Sequence, residues 1–146
     1  DLYEEGVKLS FEQWGAGSAT AYLADNTSTE KNYVDPISEY GGDVSAVSNI
    51  TIKWDDSATD EQKMERLITQ KWIAMFPNGQ EGWSEIRRTG YPKVFPLAQS
   101  TDYSIQVANR IPFDIDEATN NKANYIKAVQ MLKGNDDYAT KMWWQR

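Results

Sequence analysis

The sequence predicts a mainly α-helical domain with long irregular loops and at most short strands. Three observations point there. Tyr3, Val7, Phe11 and Trp14 recur at helical spacing near the N-terminus. Thr59-Asp60-Glu61-Gln62 forms a capping box, in which a threonine and a glutamine three residues apart satisfy each other's backbone N–H, and a second periodic run follows it. Asn78-Gly79-Gln80-Glu81 restarts a helix directly after Pro77, and Gly90-Tyr91-Pro92 stops it. With 146 residues, 40% hydrophobic and 25% charged, the chain is one domain's worth and long enough to bury a core. No internal repeat of fixed period is present.

The elements follow in order. The first helix presents one aromatic face, expected to be core, and Gly15 supplies a left-handed stop. Residues 16–58 are loop-rich, with Asp35-Pro36 and Gly41-Gly42 as turn signals and a short helical turn over 19–23. Within that segment Ile50, Ile52 and Trp54 alternate with Thr51 and Lys53, which predicts a short strand buried on one face. A long irregular stretch of this kind often carries binding function.

Residues 59–92 read as a helical hairpin. In its first helix Met64, Leu67, Ile68, Trp72 and Met75 share one arc, while Ile73 and Phe76 fall on a second, so burial on two sides is expected. Lys71 lies within the main arc, and an ammonium there requires a carboxylate, with Glu81 or Glu85 nearest in sequence. Gly82 inside the second helix costs about 1 kcal/mol against Ala, which is sensible if Trp72 or Phe76 packs on it. Trp83 and Ile86 should face inward. Residues 93–110 read as extended or looped chain. The last long helix covers 121–133 with Tyr125, Val129 and Leu132 on one face, and Met142-Trp143-Trp144 should tuck back as an apolar plug. The six Trp and eight Tyr are expected first as large core side chains, with some free to stack on sugar rings.

Composition excludes several functions. A net charge of -7 with scattered Lys and Arg argues against nucleic acid, whose phosphates need a basic surface. There is no Cys and no His, which removes thiolate ligands, the commonest transition-metal ligand and the usual neutral-pH general base. A carboxylate pair of the glycosidase kind is the only constellation left for catalysis, and 22 acidic residues make such pairs uninformative. No catalytic residue, cofactor or metal is therefore expected. Asp114-Ile115-Asp116-Glu117 is oxygen-rich, but it lacks the calcium loop's glycine and has Tyr125 where the bidentate Glu belongs, so a helix-capping turn is expected. Arg87-Arg88 reads as structural, one Arg tying a helix end to carbonyls or to a Glu. For sugar binding the candidates are Tyr33 and Tyr40, amphipathic rings beside Asn32, Asp35 and Glu39. Tyrosines anchoring the loop to the body are the competing reading.

The run from Ile68 to Phe76 (ITQKWIAMF), then Gly79, then Trp83 to Pro92 (WSEIRRTGYP), closely resembles the C-terminal region of the SusD/RagB family. Arg110-Ile111-Pro112-Phe113, Glu117, Asn121, Asn124-Tyr125 and Trp143-Trp144 fit the same pattern, as do Tyr3-Glu4-Glu5-Gly6-Val7 and Phe11-Glu12-Gln13-Trp14-Gly15. Asp114 departs from the proline often found there. The likeness spans nearly the whole chain. It implies a C-terminal portion, over residues 1–146, of a tetratricopeptide-related helical fold, and a surface lipoprotein of Bacteroidetes that binds glycans, or peptides in some members. It implies as partners an oligosaccharide or polysaccharide and a SusC-like TonB-dependent outer-membrane transporter. Membrane attachment would be only through a lipid anchor outside this segment. The chain opens inside a helix without an initiator Met, so it is expected to be a segment of something longer. Many ligand-contacting aromatics of the family lie upstream of the matched region, so no site residue is carried over. A glycoside hydrolase of the same locus and a helical scaffold with no ligand site of its own remain open alternatives.

Overall fold

The first helix, α1 (Leu2–Gln13), starts where the Asp1 carboxylate accepts the backbone N–H of Glu4. It ends at Gly15 (φ 63°), where the N–H of Ala16 reaches the carbonyl of Phe11 and that of Gly15 reaches Glu12. This paired closure is a Schellman motif, and it requires a left-handed residue at the glycine position. In this computed structural model residues 1–37, 42–96 and 107–145 are described. The other helices are α2 (Thr20–Ala24), α3 (Asp60–Ala74), α4 (Gly79–Thr89), α5 (Ile115–Asn120) and α6 (Lys122–Leu132). Among the described residues there is no strand, only an isolated antiparallel bridge between Tyr33 and Val44. The mainly helical architecture matches the expectation. No helix among the described residues is long and apolar enough to cross a membrane.

Tyr3, Val7 and Ala19 form the buried cluster, with Phe11, Tyr22, Leu23 and Trp54 packed around it. α1 lies against α3, α3 against α4, and α5 against α6. Among the described residues Ile68 on α3 is the most enclosed large side chain, 2% exposed. The segment between α2 and α3 is held to this body by side chains rather than by a sheet. The Tyr3 hydroxyl donates to the carbonyl of Ile52. Arg66 Nε donates to that of Thr51 at 2.9 Å. Glu30 accepts the N–H groups of Val47 (2.6 Å) and Ser48 (2.9 Å), and the Ser48 hydroxyl lies 2.6 Å from Glu65. Lys93 reaches the same carboxylate at 3.2 Å. The expected strand at Ile50–Trp54 is therefore absent. The carbonyls of Thr51 and Ile52 are taken by Arg66 and Tyr3, and among the described residues the bond from Lys53 N–H to the Asp25 carbonyl is not extended into a ladder.

Thr59 caps α3 with the predicted reciprocal pair, Gln62 N–H to Thr59 Oγ1 and Thr59 N–H to Gln62 Oε1. Asn78 Oδ1 accepts from Glu81 N–H at the start of α4, and Gly90 (φ 79°) ends it. A methyl placed on Gly82 would sit 3.0 Å from Trp72 Nε1, which explains a glycine inside a helix. Lys71 finds both expected carboxylates, Glu85 at 2.7 Å and Glu81 at 3.5 Å. The buried member of the pair is Glu85, not the ammonium.

Glu85 carries a testable pH dependence. Burial pushes its carboxyl up, but hydrogen bonds from Arg88 (2.6 Å) and Lys71 outweigh this and hold it below the usual range. The unfolded chain, with Glu near about 4.3, then takes up the proton first. The stabilisation is complete above that value and is lost as pH falls through the folded one. The melting midpoint should drop between about pH 5 and pH 3, and Glu85→Gln should flatten part of that drop in a thermal melt followed by circular dichroism.

Two expectations of burial fail. α3 is enclosed on one side only: Leu67, Trp72, Ile73 and Phe76 are all substantially exposed, Phe76 at 71%. Most of the Trp are not core either. Trp14, Trp72 and Trp144 are open to solvent and Trp143 is 91% exposed, so the C-terminal plug reduces to Met142 and one face of Trp144. Trp144 lies against the Arg87 guanidinium while Trp143 stands in solvent.

The C-terminal part is tied to α4. Trp83 Nε1 donates to the carbonyl of Ala108 at 2.6 Å. The Arg87 guanidinium lies 4.0 Å from the Trp83 ring and 4.6 Å from that of Trp144, sandwiched between them. Arg88 bonds Glu85, which is the ordinary structural role expected for one of this pair. Arg110 pairs with Asp136 where both side chains are buried. The last helix leaves through Lys133 in the left-handed conformation (φ 57°) rather than through Gly134. Gly134 is needed for space, since a Cβ there would lie 2.8 Å from Thr140 Oγ1. Gly134→Ala is expected to destabilise by about 1–2 kcal/mol in urea unfolding, the usual cost of overpacking.

Candidate ligand-binding surface

The Tyr33 loop is built by polar side chains that bond their own backbone. Asp25 accepts N–H groups from Thr27 (2.9 Å) and Ser28 (2.8 Å), which turn the chain out of α2 and hold this carboxyl well below its ordinary value. Asn32 Oδ1 accepts from Ala46 N–H at 2.9 Å, across the loop. Tyr33 and Val44 exchange both backbone bonds, at 2.8 and 2.9 Å. Asp43 accepts from Asp35 N–H at 3.0 Å, and Asp35 accepts from Ile37 N–H at 2.9 Å. Two of the three polar neighbours expected to meet sugar hydroxyls are thus engaged in fixing the loop. Glu39 and Tyr40 lie outside the described residues.

Tyr33 itself is 46% exposed, and its ring stands 6.2 Å from that of Phe95 at an angle of 50°. One side is packed and the rest is open, with Val34 and Ile37 exposed nearby. The two readings of Tyr33 meet here: it anchors the loop through backbone and Phe95 and still presents aromatic surface. A ring held this way loses little freedom on binding a planar apolar face. The sequence missed other exposed aromatics, namely Trp143 and the pair Trp14–Phe76, whose rings stand 6.2 Å apart.

Among the described residues no group of three or more acidic side chains is placed to hold a metal ion. Asp114 caps α5 by accepting Asp116 N–H at 2.8 Å, as the helix-capping reading expects. The Tyr3 phenol is pushed up to about 12 by burial, with Tyr22 adding to the effect, and it serves packing.

With this geometry in place, the comparisons decide the family. The model of the SusD-like family, described as Susd and RagB outer membrane lipoprotein, matches residues 1–145. The chain belongs to the SusD/RagB family. A SusD-like protein from Bacteroides thetaiotaomicron is 46% identical, with a TM-score of 0.82 over 98% of this chain and 31% of that one. A chitin-binding SusD homolog from Flavobacterium johnsoniae is 43% identical, with a TM-score of 0.82 over 98% of this chain and 30% of that one. A SusD homolog from Bacteroides uniformis is 43% identical, with a TM-score of 0.78 over 99% and 31%. The chain thus spans about a third of the length of these SusD relatives. No functionally curated protein matches. The SusD/RagB family is one of outer membrane lipoproteins, which supports an outer-membrane location.

Proposed function

We propose that this chain is the C-terminal part of a cell-surface glycan-binding lipoprotein. It would hold an oligosaccharide without cleaving it until a SusC-like TonB-dependent transporter takes it up. The observation that carries the reading is the 43% identity, over 98% of the chain, to a SusD homolog that binds chitin. The lipid anchor would lie outside these residues and hold the protein on the extracellular face. Tyr33 and Tyr40 are the residues proposed to contact sugar, Tyr33 as a ring braced by Phe95.

Affinity electrophoresis through gels containing a panel of polysaccharides, chitin derivatives included, tests the reading. At least one glycan should retard the protein, and Tyr33→Ala should weaken that retardation about tenfold, the value of one lost aromatic contact of ~1.4 kcal/mol. Equal mobility in every gel would count against it.

A further inference from the structure

Among the described residues most arginines have an acceptor. Arg66 bonds the Thr51 carbonyl, Arg88 pairs with Glu85, and Arg110 pairs with Asp136. Arg87 makes neither a hydrogen bond nor an ion pair, and its Nε is buried without a partner. Burial pulls its pKa down from the ordinary value, with no carboxylate beside it to oppose the shift. Its donors are idle.

Both faces of this guanidinium are covered, by the Trp83 ring at 4.0 Å and the Trp144 ring at 4.6 Å. Each indole is itself braced. Trp83 Nε1 donates to the Ala108 carbonyl at 2.6 Å. Trp144 sits in a turn where Gln145 N–H donates to the Met142 carbonyl at 3.0 Å and the Gln145 side chain accepts from Met142 N–H. That side chain also donates to Asn109 Oδ1 at 2.9 Å, which fixes the turn to the chain ahead of Arg110. With two faces and Nε closed, the edge carrying the two Nη atoms is left, and these are neither bonded nor enclosed.

Stacking explains the flat packing of Arg87 but uses none of its N–H groups. A fork held rigid in this way loses little freedom on binding, and its geometry matches the paired in-plane oxygens of a carboxylate. The net charge of -7 repels anions in general, so one that settles here is held by the fork itself. Trp143, next in the chain to Trp144, is 91% exposed and adds an open indole of the kind a pyranose face stacks on. That ring favours an acidic sugar over a free inorganic anion.

We propose that Arg87 is a carboxylate-binding site that takes the acid group of a uronic-acid saccharide on its two Nη atoms. The exposed Trp143 contributes ring surface to the same saccharide. The sugar rests on the glycan-binding reading above, whereas the carboxylate rests on the geometry of the clamp.

Calorimetry with trigalacturonate, its methyl ester, sodium sulfate and triglycine as separate probes tests this. Trigalacturonate should bind saturably, and the methyl ester, which keeps the rings and loses the charge, should bind at least about tenfold more weakly. Arg87→Lys keeps a cation but loses the planar fork, so it should weaken trigalacturonate about tenfold and leave retardation by neutral glycans unchanged. Arg87→Gln should remove the preference for acid over ester. Thermal melts check that each variant folds; should Arg87→Gln fail to fold, Arg87→Lys and the ester comparison on the unaltered protein decide. Equal binding of acid and ester, or an Arg87→Lys protein that binds trigalacturonate like the parent, would overturn the proposal. Sulfate or triglycine binding as tightly as trigalacturonate would overturn the assignment to a sugar. Retardation by a neutral glycan with no heat from trigalacturonate would overturn this inference and leave the glycan-binding reading standing.

Discussion

Ile68→Ala is expected to cost about 3–4 kcal/mol, the largest loss from any single truncation among the described residues. Ile68 is 2% exposed, and it sits on α3, the helix that packs against both α1 and α4. Removing its outer carbons loses transfer free energy and leaves a void that rigid neighbours cannot close. Much of the surrounding apolar surface is already open to solvent, so the chain has little other burial to fall back on. The measurement is urea unfolding followed by tryptophan fluorescence, where the midpoint should fall while the slope stays constant. Leu67→Ala, one residue away but exposed, should cost well under half as much in the same experiment. Comparable losses would mean that α3 is enclosed on both sides even in this chain.

Trp83→Ala comes next, at about 3 kcal/mol. The indole does three things. It fills space on α4, donates to the Ala108 carbonyl at 2.6 Å, and forms one half of the sandwich around Arg87. Trp83→Phe separates these contributions. The ring face for Arg87 survives, while the carbonyl loses its donor, so about 1 kcal/mol should remain of the penalty. Any effect of either variant on the binding of neutral glycans should follow the fraction folded. A Trp83→Ala protein that melts like the parent but loses a neutral glycan would place the residue in that site instead.

The local chemistry of the hairpin was legible because it depends on near neighbours in sequence. Thr59 with Gln62, Asn78 with Glu81, Gly82 under Trp72 and Lys71 with Glu85 are all separated by fewer than fifteen residues, and capping and pairing rules act at that range. The strand expected at Ile50–Trp54 was not legible as a loop, because alternation records burial and says nothing of who accepts the backbone hydrogen bonds. Tyr3 and Arg66, from two different helices, take those carbonyls. The exposure of Leu67, Ile73 and Phe76 was hidden for a related reason. Periodicity marks the face of a helix that requires a cover, without saying that the cover lies in the same chain.

The candidate binding surface was less legible than the fold. Tyr33 could be picked out as an aromatic residue in an irregular segment. Residue type alone could not tell that Asn32 and Asp35 would spend their oxygens on the loop's own N–H groups. Nor could it tell that Trp143 would stand clear of the body. The family was readable from the ordered set of motifs between Ile68 and Trp144, and the match over residues 1–145 agrees with it.

Isothermal calorimetry against a panel of soluble glycans, chitin oligosaccharides among them, tests the central claim most directly. The expected result is a saturable heat for at least one glycan, with the signal returning to baseline after each injection. A heat that continues after injection would mean turnover, and no heat with any glycan alongside saturable binding of peptides would contradict glycan binding.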